Sequence, residues 1–492
     1  MEKSLRSLLS LSGQLVAYGI GFVGRQLVTL ITLPLITNLV SQKDFGIISI
    51  ITSFYLVCNT ITNMGLPSAT FRFYNDNKDP NQQKEVIGTS QTLFFLLAFV
   101  LAVIIVAFSG SVSNLLLGSR ENSLVIQLVA LLVVVETMNY YGAILLRLHN
   151  RPGAVSVHNL VSVVGQMGLA LIFIKIFESG VLGYWLGFVL GALISLVFMI
   201  WLNRKVIVFT FSLSSARELL AYGIPLVPAS LSITLLLLTD RFFLRTFLSL
   251  DVVAVYAIGY KVGSLVNLLM APFQIAWPNF AFSSIKNPDA SRIYRDVTTL
   301  IVLGCSIFTL GTYIFRYQII DLLSPESYRV GADIVPWISA SMILLGLNPV
   351  VSLGPKIKKD TRPLAWISVA TTLVNILILM IFIPRWGIVG AAIGTFLSYL
   401  FLTVASYVIS LRYFYFPLDW KRIGIIVITV LGLGLLNIIA EAKIPDLSNL
   451  ILVQALILLA FPLLLILMKI IPVKEVVQIL KENTEKFFSK IS

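Results

Sequence analysis

The sequence predicts an all-α polytopic membrane protein with fourteen transmembrane helices, built as two six-helix lobes in parallel repeat plus two extra helices. Three observations carry this prediction. First, 58% of the 492 residues are hydrophobic, 12% are charged, and mean hydropathy is +0.94. Soluble chains carry about 25% charged residues, so half the charge needed to wet a surface is missing. Second, the apolar residues fall into fourteen stretches with no room between them for a soluble catalytic domain. Third, the chain repeats itself internally at an offset of six stretches.

The stretches lie at 13–36, 45–66, 89–109, 123–146, 153–177, 181–201, 219–239, 252–277, 297–318, 333–354, 364–384, 387–409, 423–440 and 450–471. Each has about the 20 apolar residues that a spanning helix requires. The first follows a short basic start (MEKSLRSLLS). It is too long for a signal-peptide core and has no small-residue cleavage site, so it is expected to be retained as a helix. The shortest divisions are the Glu178–Gly180 break and Pro384–Gly387.

With the N-terminus inside, inner loops hold 25 Lys and Arg residues and outer loops hold nine; Arg25 and Lys261 remain within helices. By the positive-inside rule, both termini are expected in the cytoplasm. The net charge of +13 is dispersed one to four residues at a time, without the basic patches and interleaved aromatics of a nucleic-acid binder. After Pro472 the tail, 472–492, sets Val473, Val476, Val477, Leu480, Phe487 and Phe488 near one face and lysines on the rest. It reads as an amphipathic helix on the inner leaflet or as a solvated tail.

The repeat pairs LVAYGI (15–20) with LLAYGI (219–224), Arg151-Pro152 with Arg362-Pro363, and GVLGYWLG (180–187) with GIVGAAIG (387–394). An even offset gives both copies the same orientation in the bilayer, the parallel-repeat design of some transporters. The lobes are therefore expected at 13–201 and 219–409, with the extra helices at 423–471. The recurring glycines read as points of close helix packing.

Ionisable residues at bilayer depth by default face a cavity or a partner. Arg25 lies roughly 18 Å from either end of its segment, at 1.5 Å per residue. On a helical wheel it shares a face with Gln14, Tyr18, Thr29 and Thr32. Glu136 sits midway in the fourth segment, with Asn139 and Tyr140 on its face. It pairs with Arg25, carries a coupling proton, or does both in turn. Lys261 stands beside a stripe of Tyr256, Tyr260, Asn267 and Gln274, and the second segment aligns Thr52, Asn59 and Asn63. His158 is a second coupling candidate because histidine titrates near neutrality; its bland reading is a satisfied interfacial side chain. Asp240-Arg241 reads as an anchor at the outer end of the seventh segment. The cavity inventory is net basic and suits an anionic group, which arginine binds through a planar fork.

Cys58 and Cys305 lie within apolar stretches and offer neither a disulfide framework nor metal spacing. No nucleophile–His–acid set, Walker loop, HExxH or CxxC motif occurs. No catalytic residue, cofactor or metal site is expected, and energy would come from an H⁺ or Na⁺ gradient or the membrane potential.

The stretches TLPLITNLVSQKDFGIISIITSF, MGLPSATFRFYN, AYGIPLVPASLSITLLLLTDRFF, VYAIGYKVGSL and IFIPRWGIVGAAIGTFLSYL resemble the bacterial Wzx-type polysaccharide-export flippases. That superfamily also holds the lipid II flippase and the multidrug exporters. The resemblance spans the first twelve segments. It implies alternating access and movement of an undecaprenyl-diphosphate-linked oligosaccharide across the bacterial inner membrane, for assembly of O-antigen, capsule or exopolysaccharide. Membrane lipids are implied neighbours, and a polysaccharide polymerase and ligase are implied partners. Basic residues line such cavities, and Arg25 fits that description. Fourteen helices is also the lipid II flippase number, although a single deep arginine in the first lobe departs from that subfamily. A lipid II flippase and an ion-coupled exporter of small amphipathic molecules stand as alternatives. A glycan polymerase or ligase would need larger outer loops.

Overall fold

A computed structural model describes the backbone of residues 12–470 except 179, 209, 286, 359 and 469. It describes side chains from Val23 onward, except at 272, 275, 276, 279 and 283 as well. The expected tail helix at 472–492 therefore lies outside the described residues, as do the side chains of Gln14 and Tyr18. Among the described residues every regular element is a helix.

The first half of the chain runs through α1 (Ser12–Leu39), α2 (Gln42–Asn63), α3 (Leu66–Asp76), α4 (Pro80–Ala107), α5 (Ser109–Leu117), α6 (Ser123–Leu148), α7 (Pro152–Phe177) and α8 (Gly180–Asn203). Local chemistry sets many of the boundaries. The Ser41 hydroxyl accepts from the Asp44 amide at the start of α2, and the Asp79 carboxylate does the same for Asn81 ahead of Pro80. Each satisfies an amide that the first turn leaves open. Proline in the first turn also starts α7, where its missing N–H costs nothing.

The second half holds α9 (Leu213–Gly223), α10 (Val227–Phe247), α11 (Leu250–Gly263), α12 (Asn267–Ser284), α13 (Ala290–Ile314), α14 (Arg316–Leu323), α15 (Val335–Val351), α16 (Leu353–Ile357), α17 (Arg362–Leu411), α18 (Trp420–Lys443) and α19 (Leu447–Leu467). Short 3₁₀ turns join α9 to α10, α11 to α12, and α14 to α15. Among the described residues twelve helical runs are long and apolar enough to cross a membrane; the described apolar part of α1, Val23–Leu39, is shorter than these. This is a multi-pass membrane protein. The 50-residue α17 contains one non-helical residue, Gly387, at φ 55° and ψ −132°. Only glycine reaches that conformation without strain, and it marks the division expected near Pro384–Gly387.

One expected boundary needs correction. The seventh stretch was expected to end with Asp240-Arg241 as an outer anchor, but α10 continues past them to Phe247. Asp240 is 2% exposed, and the Arg241 side chain is only 11% exposed. Two adjacent charges depress local hydropathy, but the apolar residues beyond them still carry the helix.

Within the first half, α1 packs on α7, α7 on α8, and α6 against both α4 and α8. Gly183, Gly187 and Gly191 let the backbone of α8 lie directly on that of α7. Within the second half, α17 packs on α10 and α15, and α13 on α15. Contacts between the halves run mainly through α2, which touches α11 and α10, and through α1 against α12. Near its start, a Cβ on Gly46 would land on the Leu250 carbonyl. Just past its other end, Gly65 meets the Gly223 backbone. The close contact at Gly46 is reinforced by Gln42, which donates to Asp251 O at 3.3 Å, and by Thr37, which donates to Leu323 O at 3.2 Å.

Helices α18 and α19 pack on α13 and on each other. A bidentate pair ties them down: Arg316 reaches Glu441 at 3.0 and 2.7 Å. The Arg316 guanidinium also sits over Tyr313 and Tyr317. Ile428, Leu431 and Leu435 on α18, with Leu452, Leu459 and Leu463 on α19, face outward. Such a surface suits lipid, against which apolar side chains need no cover.

Candidate functional site

The candidate site begins with a carboxylate that a helix in lipid must account for. Glu136 projects from the middle of α6, and Gln166 of α7 donates to its Oε1 at 2.6 Å. Gln166 also donates to Ser162 Oγ at 2.9 Å. Asn139, one turn along α6, stands 3.5 Å from the same Glu136 oxygen and donates to Ala192 O at 3.3 Å. Its own oxygen lies 3.3 Å from His158 Nε2, which stands 2.8 Å from Ser195 Oγ. A continuous polar chain thus links α6, α7 and α8 inside the first half. Each buried polar group without a partner would cost about 1–3 kcal/mol, so the chain holds these helices in one register.

Arg25 is exposed at the described surface, and its side chain makes no ion pair with Glu136 among the described residues. The two are nonetheless electrostatic neighbours: the Arg25 charge acts on Glu136, His158 and Tyr55. Amide donors therefore hold the Glu136 carboxylate, and among the described residues the guanidinium of Arg25 takes no part in that hold.

Lys261 of α11 reaches across to the first half, where its Nζ donates to Gln26 Oε1 at 3.4 Å. Both Arg25 and Arg241 act on its charge. Deeper in the second half, Tyr256 donates to Asp240 Oδ2 at 2.5 Å, and Arg241 pairs with Asp240 Oδ1 at 3.3 Å. The Arg241 guanidinium lies 4.6 Å from the Tyr260 ring centre.

The remaining expected residues divide. Asn59 donates to Tyr55 Oη at 3.0 Å and accepts from Asn63 at 3.2 Å, a polar ladder along α2. Asn267, at the 3₁₀ break after α11, donates to Met342 Sδ at 3.2 Å. Tyr140 instead packs against an apolar cluster that includes Leu66, Phe94 and Ile144. Tyr18 lies outside the described side chains. Gln166, Ser195 and the Asp240–Arg241 pair were not among the expected site residues. A lone glutamine in the apolar run VSVVGQMGLALIFI was the available signal for Gln166. Both cysteines are free and buried, and no cluster of three metal-ligating side chains occurs among the described residues.

These arrangements can be set beside known proteins. A family model described as "Polysaccharide biosynthesis protein" matches residues 9–281. No curated protein matches the chain. Among solved structures, the lipid II flippase MurJ in an inward closed conformation is similar, with a TM-score of 0.73 and 15% identity over 93% of this chain and 100% of that one. An inward-facing multidrug resistance MATE family transporter gives 0.65 and 14% over 79% and 94%. A MOP superfamily transporter from Pyrococcus furiosus, whose report describes a binding pocket of reverse polarity, gives 0.62 and 14% over 84% and 95%. At these identities the likeness is one of fold. The family match covers more than half of the chain, including Arg25, Glu136, Arg241 and Lys261, and the protein belongs to the polysaccharide biosynthesis protein family.

Proposed function

We propose that the protein flips an undecaprenyl-diphosphate-linked oligosaccharide across the bacterial inner membrane, for assembly of a surface polysaccharide such as O-antigen, capsule or exopolysaccharide. The observation that carries this reading is that Lys261 of the second half bonds Gln26, the chain neighbour of Arg25, where the two halves of a polysaccharide biosynthesis family member touch. In this reading fourteen helices cross the membrane with both termini in the cytoplasm. Residues 13–201 and 219–409 form two lobes that rock against each other, and α18 and α19 are the added pair.

Arg25 and Lys261 receive the diphosphate at the lobe boundary, while the prenyl tail stays in lipid. Charge-assisted contacts to an anion are stronger where water is scarce, and each lobe contributes one cation, so binding is sensitive to how the lobes sit. Asn59, Asn139, Tyr260, Asn267, Tyr18 and Tyr140 complete the proposed cavity set, with the apolar setting of Tyr140 counting against that residue. Glu136, linked to His158 through Asn139, is the proposed coupling group for H⁺ or Na⁺: a change in its charge alters the hydrogen bonds among α6, α7 and α8. No chemical step is assigned to the chain. A polymerase and ligase acting on the delivered glycan are the proposed partners.

The test is mass spectrometry of lipid extracts from a deletion strain beside a surface-glycan assay. Accumulated prenyl-diphosphate oligosaccharide with loss of surface polymer supports the proposal. A normal lipid pool with unchanged polymer refutes it and favours export of small amphipathic molecules, whereas accumulated lipid II selects that substrate instead.

A further inference from the structure

The Asp240–Arg241 pair is costly where it stands. The carboxylate is 2% exposed and the arginine side chain 11%, and removing two charges from water requires more compensation than a single contact gives. The contact is also loose: Arg241 Nη1 lies 3.3 Å from Asp240 Oδ1 and donates to Leu237 O at 3.1 Å. Nε and Nη2 bond to none of the described residues, so most of the five guanidinium donors remain unspent. The Tyr260 ring lies against the guanidinium, within cation–π range.

Asp240, in contrast, is satisfied without the arginine side chain. Tyr256 donates to Oδ2 at 2.5 Å, and the Arg241 backbone amide donates to Oδ1 at 2.8 Å. The carboxylate therefore keeps two donors if the guanidinium turns away. Tyr260, whose ring centre lies 4.6 Å from the Arg241 guanidinium, immediately precedes Lys261, and Lys261 bonds Gln26, the chain neighbour of Arg25 in the opposite half. Like charges brought near one another repel, more strongly where water is scarce, and a multivalent anion relieves that repulsion.

We propose that Arg241 is an anion-binding residue of the second lobe, which exchanges Asp240 for the diphosphate of the translocated lipid and completes a three-cation set with Lys261 and Arg25. This rests on the flippase reading for the identity of the anion. Tyr256 holds Asp240 in place during the exchange, and Asp240 reclaims Arg241 once the substrate leaves, so Arg241 is paired in the empty carrier.

The test measures binding of inorganic pyrophosphate by calorimetry to the full chain in nanodiscs of neutral phosphatidylcholine. Asp240→Asn frees the guanidinium and is expected to tighten binding about tenfold. The double variant D240N/R241Q removes both charges together, so no lone charge is left buried, and is expected to weaken binding about ten- to a hundredfold, the scale of a charge-assisted bond. Binding by the double variant equal to wild type overturns the proposal, as does no binding by wild type. A third arm adds phosphatidylglycerol: persistence of binding supports a diphosphate site, and its abolition reassigns the site to lipid headgroups. Lipid accumulation in the deletion strain is read separately. Its absence, with pyrophosphate still bound through Arg241, retires the flippase reading alone.

Discussion

If the lobes rock about their shared boundary, a side chain placed where α2 and α11 touch will tilt the balance between states. Gly46 is that place, since a Cβ there would land on the Leu250 carbonyl and 3.3 Å from its Cα. Carbon atoms in comfortable contact stand about 3.5–4.0 Å apart, so Gly46→Val forces the helices apart by more than an ångström. Overpacking of this kind costs about 1–3 kcal/mol, charged only to the state in which this end is closed. The ratio of open to closed should then rise about 5- to 150-fold. The assay is a spin-label distance between Lys43 and Leu322, in a background with Cys58 and Cys305 replaced by alanine. Gly46→Val should move population to longer distances. The converse change is Gly223→Leu at the other end, where a Cβ meets Met64 O at 2.5 Å. It should lengthen an Asn75–Arg217 distance and leave the first pair unchanged. Distributions identical to wild type in both variants would refute the reasoning.

Other consequences follow from the polar contacts. Glu136→Gln keeps an oxygen for the Gln166 donor, so thermal stability should stay within about 1 kcal/mol; surface glycan should nonetheless be lost, and normal export would exclude a coupling role. His158→Ala strips partners from Ser195 and Asn139; it should cost about 1–3 kcal/mol, read as a lower melting temperature in detergent. Glu441→Gln leaves the buried Arg316 charge uncompensated at about 3–5 kcal/mol, while the apolar pair R316M/E441L should restore the melting temperature. If the single and double variants melt alike, the pair does not hold α18 to the bundle.

Much of the architecture was legible because lipid imposes one rule: every spanning backbone must satisfy itself as a helix. Apolar run length therefore located most helices, and the glycines of GVLGYWLG announced the close contact of α7 and α8. Charges stood out for the same reason, which is why Arg25, Glu136 and Lys261 could be named in advance. Their partners could not. A wheel shows which face a residue shares, but not which helix lies opposite, so Gln166, Ser195 and the Lys261–Gln26 bond stayed hidden. Asn139 and Tyr140 show how fine the distinction is: about 100° of rotation per residue takes one into the Glu136 network and the other into an apolar cluster. Asp240 and Arg241 were misread because two adjacent charges resemble a helix end. Only the packing of α10 against α11 shows Tyr256 closing over Asp240.

The most direct test is translocation by the purified protein alone. Vesicles would carry a prenyl-diphosphate-linked oligosaccharide in both leaflets, and an added glycosidase would report the fraction exposed outside. Wild-type protein should make nearly all of the lipid accessible over time, whereas Arg25→Ala and protein-free vesicles should stall near half. Accessibility fixed near half with wild-type protein, under imposed H⁺, Na⁺ and potential gradients alike, would contradict the account.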